Sequence, residues 1–243
     1  MTVALRAEGL GKRYGGLKAV DGVNLTLQEG CILGLIGPNG AGKSTCFAML
    51  AGSTAPTAGR VFAGERELTG LPAFRVARAG VVRTHQIVRP FGNLTLMENV
   101  NVAAVQCSGR DPAGARALAR EMLEFTGLLK RRNEYPAGLT LAGRKRLELA
   151  RALACAPKVL LLDEVIAGVN PAEAQEMMTL ILRARDERKV SIIMTEHVMA
   201  AVMRLCEEVV VLDAGKLIAA GRPKEIVQNP EVITAYLGKA HKP

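Results

Sequence analysis

Gly37-Pro38-Asn39-Gly40-Ala41-Gly42-Lys43-Ser44 is the stretch that decides how this 243-residue chain is read. It satisfies G-x-x-x-x-G-K-[ST] at every fixed position. The residues before it, Cys31–Gly37, form an apolar run expected of a strand covered on both faces. The residues after it, through about Gly52, predict a helix. A glycine-rich turn between a buried strand and a helix lets consecutive backbone N–H groups converge on phosphate oxygens. Gly37, Pro38, Asn39, Gly40, Ala41 and Gly42 then form the cradle, with Lys43 reaching the β- and γ-phosphates. The Ser44 hydroxyl is expected on Mg²⁺, and Ser44 and Thr45 are expected among the nucleotide contacts.

A second motif supplies acids. In Val159-Leu160-Leu161-Leu162-Asp163-Glu164, four apolar residues run into two carboxylates. A buried strand would hold Asp163 and Glu164 at its C-terminal edge, where open α/β sheets bind ligands. Asp163 is expected to hold Mg²⁺ through water, and Glu164 to orient or deprotonate an attacking water. His197 follows the apolar strand Ser191–Thr195, one strand farther on, and is placed to contact the γ-phosphate or hold that water. A transferred phosphoryl group spreads negative charge over its oxygens, so positioned cations and donors are the chemistry this set offers.

Outward from these motifs, Val3–Leu10 and Val23–Gln28 read as strands. The second alternates Val23, Leu25 and Leu27 with Asn24, Thr26 and Gln28, a period of two with one buried face. Thr57–Gly64 and Val81–Thr84 are further strands. From Leu96 to Ala156 only helical patterns occur, among them Pro112–Gly127 and Leu139–Ala154. Alternation then returns with helix Pro171–Lys189, helix Val198–Leu205, and strands Glu208–Leu212 and Leu217–Ala220 joined at Ala214–Gly215. This pattern predicts an α/β fold with a mostly parallel sheet. We expect one domain over residues 1–243, with an N-terminal antiparallel β subdomain. Residues 1–95 and 157–243 form the core, and 96–156 an inserted helical subdomain.

Composition narrows the function. The net charge of +9 comes from scattered Lys and Arg, without a dense basic tail. Aromatic residues are 3% and Trp is absent, which disfavours stacking on single-stranded nucleic acid. Five cysteines, an odd number with no C-x-x-C pair, imply neither a disulfide framework nor a zinc site, and are read as buried reduced thiols. No apolar run approaches the ~20 residues of a spanning helix. No secretory leader is visible.

Together these residues resemble the ATP-binding subunit of ATP-binding cassette (ABC) transporters, over nearly the whole chain. The resemblance implies a P-loop NTPase core, with ATP and Mg²⁺ as ligands and hydrolysis of ATP coupled to transport. It places Tyr14 as the aromatic stacked on adenine and Val20 among the nucleotide contacts. Gln86, after Val82-Arg83-Thr84-His85, becomes a ligand of Mg²⁺ and of the attacking water that senses the membrane partner, and His197 the switch histidine. Ala167-Gly168-Val169-Asn170 corresponds to the dimer-contact loop. In this family, two subunits sandwich two ATP molecules, each lying between one chain's phosphate loop and the other's signature.

The usual signature Leu-Ser-Gly-Gly-Gln is replaced by Leu139-Thr140-Leu141-Ala142-Gly143, in a register fixed by Arg146 and Ala150-Arg151-Ala152-Leu153. Thr140 keeps a hydroxyl at the helix start, so Thr140, Ala142 and Gly143 are expected on a partner's nucleotide. Leu141 and Ala142 add side chains where the family has glycine, which predicts two unequal ATP sites in the assembly. Val165 and Asn170 also depart from the usual proline and aspartate.

Arg83-Thr84-His85-Gln86, Phe91-Gly92-Asn93-Leu94-Thr95 and the ending Val232–Gly238 look like subunits for branched-chain or hydrophobic amino acid uptake, although His85 replaces a common phenylalanine. The resemblance thus implies a second ATPase subunit, two transmembrane permeases and, indirectly, a periplasmic substrate-binding protein. It also implies a peripheral position on the cytoplasmic face of the inner membrane, with no nucleic acid partner. Phe91 and Leu94 are expected either in a permease groove or in local core. Competing readings are a soluble ABC-type ATPase on nucleic acid or ribosomes, a non-hydrolysing regulatory subunit, and a kinase-like transferase.

Overall fold

In a computed structural model, which describes residues 2–85 and 89–237, the alternating segments near the N-terminus pair as a long hairpin. Strands β1 (Val3–Tyr14) and β2 (Leu17–Gln28) are antiparallel, with Leu5 opposite Leu27 and Ala7 opposite Leu25. Both strands are longer than their apolar periodicity implied, because β1 is interrupted by register shifts that break the period of two. β4 (Ala58–Ala63) and the short β5 (Arg66–Glu67) complete a four-stranded sheet of order β2-β1-β4-β5.

The second sheet has six strands in the order β10-β9-β3-β8-β7-β6. At its centre lie β3 (Ile32–Ile36), β8 (Ser191–Thr195) and β7 (Val159–Asp163), buried at every position. β6 (Val81–Arg83) runs parallel to β7 and β9 (Glu208–Asp213) parallel to β3, and β10 (Lys216–Gly221) is an edge antiparallel to β9. Unbroken Val, Ile and Leu runs suit strands covered on both faces, as read from the sequence.

Helix α1 (Lys43–Leu50) fills the space between the two sheets, with Cys46, Phe47 and Leu50 wholly buried. One apolar cluster joins α1 to the antiparallel sheet through Leu25, Leu35, Phe47 and Leu212. The other covers the opposite face of the parallel sheet and runs into the helices. These are α3 (Leu96–Cys107), α4 (Pro112–Phe125) and α5 (Leu141–Ala154), which pack on one another. Their N-termini carry side-chain caps: Thr95 with Glu98 in a capping box, Asp111 before Pro112, and Thr140, whose Oγ1 accepts from the Gly143 N–H. Helix α6 (Pro171–Arg188) opens on the Asn170–Glu173 capping box. Sequence reading did not find α2 (Ala73–Arg78), whose six residues bury only Val76 and carry no periodic signal. Helices α7 (Met199–Leu205), α8 (Pro223–Ile226) and α9 (Pro230–Leu237) finish the chain.

Cys46 and Cys206 are buried thiols as expected, whereas Cys31, Cys107 and Cys155 are only half-buried; all five are free. Among the described residues, no helix is long and apolar enough to cross a membrane.

Candidate active site

Two glycines give the phosphate loop its path. Gly37 has φ 149° and Gly42 φ 100°, and a β-carbon would lie 2.1 Å from the Leu212 carbonyl oxygen or 2.4 Å from that of Ala19. The loop is therefore wedged between β9 and β2 with its backbone unusually close to both. The two-residue turn joining β9 and β10, Ala214–Gly215, braces it. Gly215 N–H donates to the Ala41 carbonyl at 3.1 Å, and Asp21 N–H donates to the Gly215 carbonyl at 2.8 Å. Alone among the larger helices named above, α1 starts from a left-handed glycine with no side-chain cap. Its first amides are thus left for an anion, with the positive end of the helix dipole behind them.

Lys43 is 8% exposed, and its Nζ donates to the carbonyls of Gly37 at 2.7 Å and Pro38 at 2.9 Å. Burial lowers its affinity for a proton, opposed by the charges of Glu164 and Asp163. A cavity of about 600 Å³ opens over the loop, bounded by residues 39–45, Tyr14, Glu164 and His197. Tyr14 is half-exposed on its wall, with the Lys12 ammonium 5.2 Å from its ring centre. Val20 does not line this cavity. It is 1% exposed, in the core beneath Gly42, and Leu17, Lys18 and Ala19 form the wall in its place.

The two acids at the end of β7 are held differently. Asp163 accepts from Arg83 Nη2 at 2.6 Å through one oxygen and from Thr195 Oγ1 at 2.8 Å through the other. Its backbone N–H donates to Thr84 Oγ1 at 3.2 Å. Glu164 accepts from His197 Nε2 at 2.9 Å; with the carboxylate ionised, this bond requires the ring proton on Nε2. Glu164 also has φ 51°, in the left-handed region that a side chain disfavours. The oxygen donors suit a hard cation that arrives with a phosphate. Ser44 offers a hydroxyl, and the Asp163 carboxylate has acceptor capacity beyond its two hydrogen bonds. No three His, Cys, Asp or Glu side chains converge among the described residues.

Gln86 lies outside the described residues. Thr140, Ala142 and Gly143 do not line the cavity; Ala142 and Gly143 are buried at the start of α5, and Leu141 projects half-exposed. Sequence reading missed Arg83, Thr195, Lys145 and Glu196. Arg83 follows two apolar residues at the end of β6, but only the pairing of β6 with β7 brings it to Asp163. Tyr236 of α9 was missed as well. Burial raises its phenol, opposed by a hydrogen bond from the Gly37 backbone.

Comparison with known proteins bears on this geometry. Residues 20–167 match the model of the ABC transporter family, more than half of the chain. The chain belongs to the ABC transporter family. Residues 216–242 match a second model, described as a branched-chain amino acid ATP-binding cassette transporter. The cassette is 43% identical over 250 residues to the high-affinity branched-chain amino acid transport ATP-binding protein LivG of Salmonella typhimurium, covering 97% of this chain and 98% of that protein. It is 39% identical to BraF of Pseudomonas aeruginosa over the same shares. It is also 34% identical to the lipopolysaccharide export ATP-binding protein LptB of Haemophilus influenzae, covering 98% of each chain. Among solved structures, a nucleotide-free ATP-binding cassette from an ABC transporter superposes with a TM-score of 0.89 at 28% identity, over 98% of this chain and 100% of that one. The ADP conformation of an ATP-binding cassette gives the same score. The cassette therefore has the P-loop NTPase fold, binds nucleotide and is an ATPase.

Proposed function

We propose that this cassette binds and hydrolyses ATP to energise an importer of branched-chain amino acids, acting peripherally on the cytoplasmic face of the inner membrane. The observation that carries the hydrolytic part is the Glu164–His197 hydrogen bond at the mouth of the cavity above Lys43. In this reading, the loop amides and Lys43 grip the phosphates, and Tyr14 stacks on the adenine. Glu164 takes the proton of a water attacking the γ-phosphate, and His197 holds the carboxylate in line. Ser44, Asp163 and Gln86 would hold Mg²⁺, Asp163 through water, with the lone pairs that Arg83 and Thr195 leave free on its oxygens. Bound Mg²⁺ supplies neutralisation of the charge that develops on the transferred phosphoryl group.

The transport part is supported by the identity to LivG and BraF along nearly the full chain. The partners in this reading are a second ATPase subunit, two permeases and, indirectly, a periplasmic binding protein. Residues 96–156 form the helical subdomain and 1–95 with 157–243 the core. ATP held between two subunits favours the closed dimer by its differential affinity for that state, and hydrolysis releases it. Co-purification of the tagged chain with membrane permeases, followed by uptake of leucine, isoleucine and valine, tests the reading. Uptake that is lost in a deletion strain and restored by the wild-type gene but not by Glu164→Gln is the expected result. Uptake indifferent to the deletion would refute the solute assignment.

A further inference from the structure

After Asp163 the chain turns out of β7 through Glu164, Val165, Ile166 and Ala167, and this short segment is gripped by two buried charged side chains. Lys145, in the second turn of α5, is 6% exposed. Its Nζ donates to the Glu164 carbonyl at 2.9 Å and to the Ala167 carbonyl at 2.5 Å. From the other side Glu196, 1% exposed after β8, accepts the Ile166 N–H on Oε1 at 2.8 Å. Its other oxygen, Oε2, is buried with no protein hydrogen-bond partner. The Glu164 N–H donates to the Thr195 carbonyl at 3.0 Å.

The peptide groups on both sides of Glu164, the residue whose backbone is strained, are thus fastened, as are the Ile166 N–H and the Ala167 carbonyl. A left-handed conformation at a residue with a β-carbon costs ~1 kcal/mol and persists only where the surroundings over-determine it. Burying an ammonium is itself unfavourable, and here burial lowers the proton affinity of Lys145 against the opposing charges of Glu196 and Glu164. An apolar side chain of equal length would fill the same space at lower desolvation cost. What it would lose is the hold on the two carbonyls that set the direction in which the Glu164 side chain leaves the backbone.

We propose that Lys145 is a positioning residue for hydrolysis: from the helix that begins with Leu139–Gly143, its ammonium pins residues 164–167 so that the Glu164 carboxylate stays on His197 and faces the phosphate loop. The consequence is mechanical coupling within one chain. The start of α5 faces the nucleotide held by a partner, whereas Glu164 acts on the nucleotide held by this chain. Lys145 joins the two, so a shift of α5 on engagement would be felt at the carboxylate. This inference rests on Glu164 being the acid that primes water.

The test uses the full-length chain with Mg·ATP and compares Lys145→Met, Lys145→Arg and Glu164→Gln with the wild type. Steady-state turnover, nucleotide affinity by a fluorescent ATP analogue and the thermal midpoint are measured for each. Lys145→Met keeps length and bulk but no donor, so kcat is expected to fall about tenfold or more with KM and Kd nearly unchanged. Lys145→Arg, which keeps donors, is expected to recover most of that loss. A Lys145→Met enzyme with wild-type kcat, beside an inactive Glu164→Gln, overturns the positioning role and leaves the Glu164 reading intact. Parallel loss of kcat, affinity and thermal midpoint, unrescued by arginine, makes Lys145 a folding residue only and also overturns it. Full turnover by Glu164→Gln would instead sink the reading on which the inference depends.

Discussion

A methyl group at Gly42 would press on the Ala19 carbonyl and one at Gly37 on that of Leu212, while both residues hold positive φ. The neighbour in each case is sheet backbone, which cannot step aside as a flexible side chain would. Gly42→Ala should therefore raise nucleotide Kd by about tenfold or more, ~1.4 kcal/mol, read by titration with a fluorescent analogue. Glu196 gives a prediction in pH. Burial raises its carboxyl from 4.5 to about 7, only partly opposed by the Ile166 N–H and the charge of Lys145. Between these values the folded chain binds a proton that the unfolded chain does not. Stability from this group is thus fully present below pH 4.5 and is lost as pH rises through about 7. Thermal melts should show a midpoint declining over that window, and Glu196→Gln should flatten the decline. A slope unchanged by the substitution would contradict the assignment.

Among elements, α3 and the turn before it depend on one side chain. Asn99 is wholly buried, accepts the Phe91 N–H at 2.8 Å, and donates to the carbonyls of Phe91, Leu94 and Thr95 at 3.0 Å. Asn99→Ala strands those groups, so unfolding free energy should drop by ~2–3 kcal/mol in urea melts, with no change in slope. α5 depends on its cap. Thr140→Ala removes the acceptor for Gly143 N–H and should cost ~1 kcal/mol. α1 differs from both, because a cap there would compete with the phosphate. Of these caps the sequence reading gave only Thr140; the Thr95–Glu98 and Asn170–Glu173 capping boxes and the uncapped start at Gly42 emerge from the structure. The end of β1 was not readable, since its bulges shift which residues face the core between Ala7 and Lys12.

At the scale of the whole molecule, apolar side chains left on the surface are the candidates for the permease contact that the proposed function requires. Phe91 is 44% exposed, with the Arg151 guanidinium 5.3 Å from its ring centre, and Phe74 on α2 is 58% exposed. Leu94 is half-buried and belongs partly to the local packing. Because Phe91 contributes little to the core, Phe91→Ala should leave the melting curve and nucleotide affinity of the isolated chain unchanged while substrate uptake by the assembled transporter falls. Equal uptake by mutant and wild type would place the permease contact elsewhere. The unequal ATP sites are a second prediction at this scale. On the proposed roles, Glu164→Gln should disable the site built on this chain's loop, whereas Ala142→Asp should act on the site completed by its signature. ATPase losses in the assembled transporter should differ by about tenfold or more.

The sequence by itself determined the phosphate loop, the acid pair, the layered α/β fold and the family, because each is written in adjacent residues or in a simple period. Loop amides, Lys43 and Ser44 are contiguous, and the burial of β7 is visible in four successive apolar side chains. Only the tertiary structure decided what surrounds them. Arg83 reaches Asp163 because β6 pairs with β7, Val20 turns inward while Leu17, Lys18 and Ala19 line the cavity, and Lys145 and Glu196 close on residues 164–167 from separate elements. These contacts join positions far apart in the chain. The buried charges among them are costly to desolvate and are tolerated only where hydrogen-bond partners are at hand, a condition that exists only once the sheet order has brought those partners together.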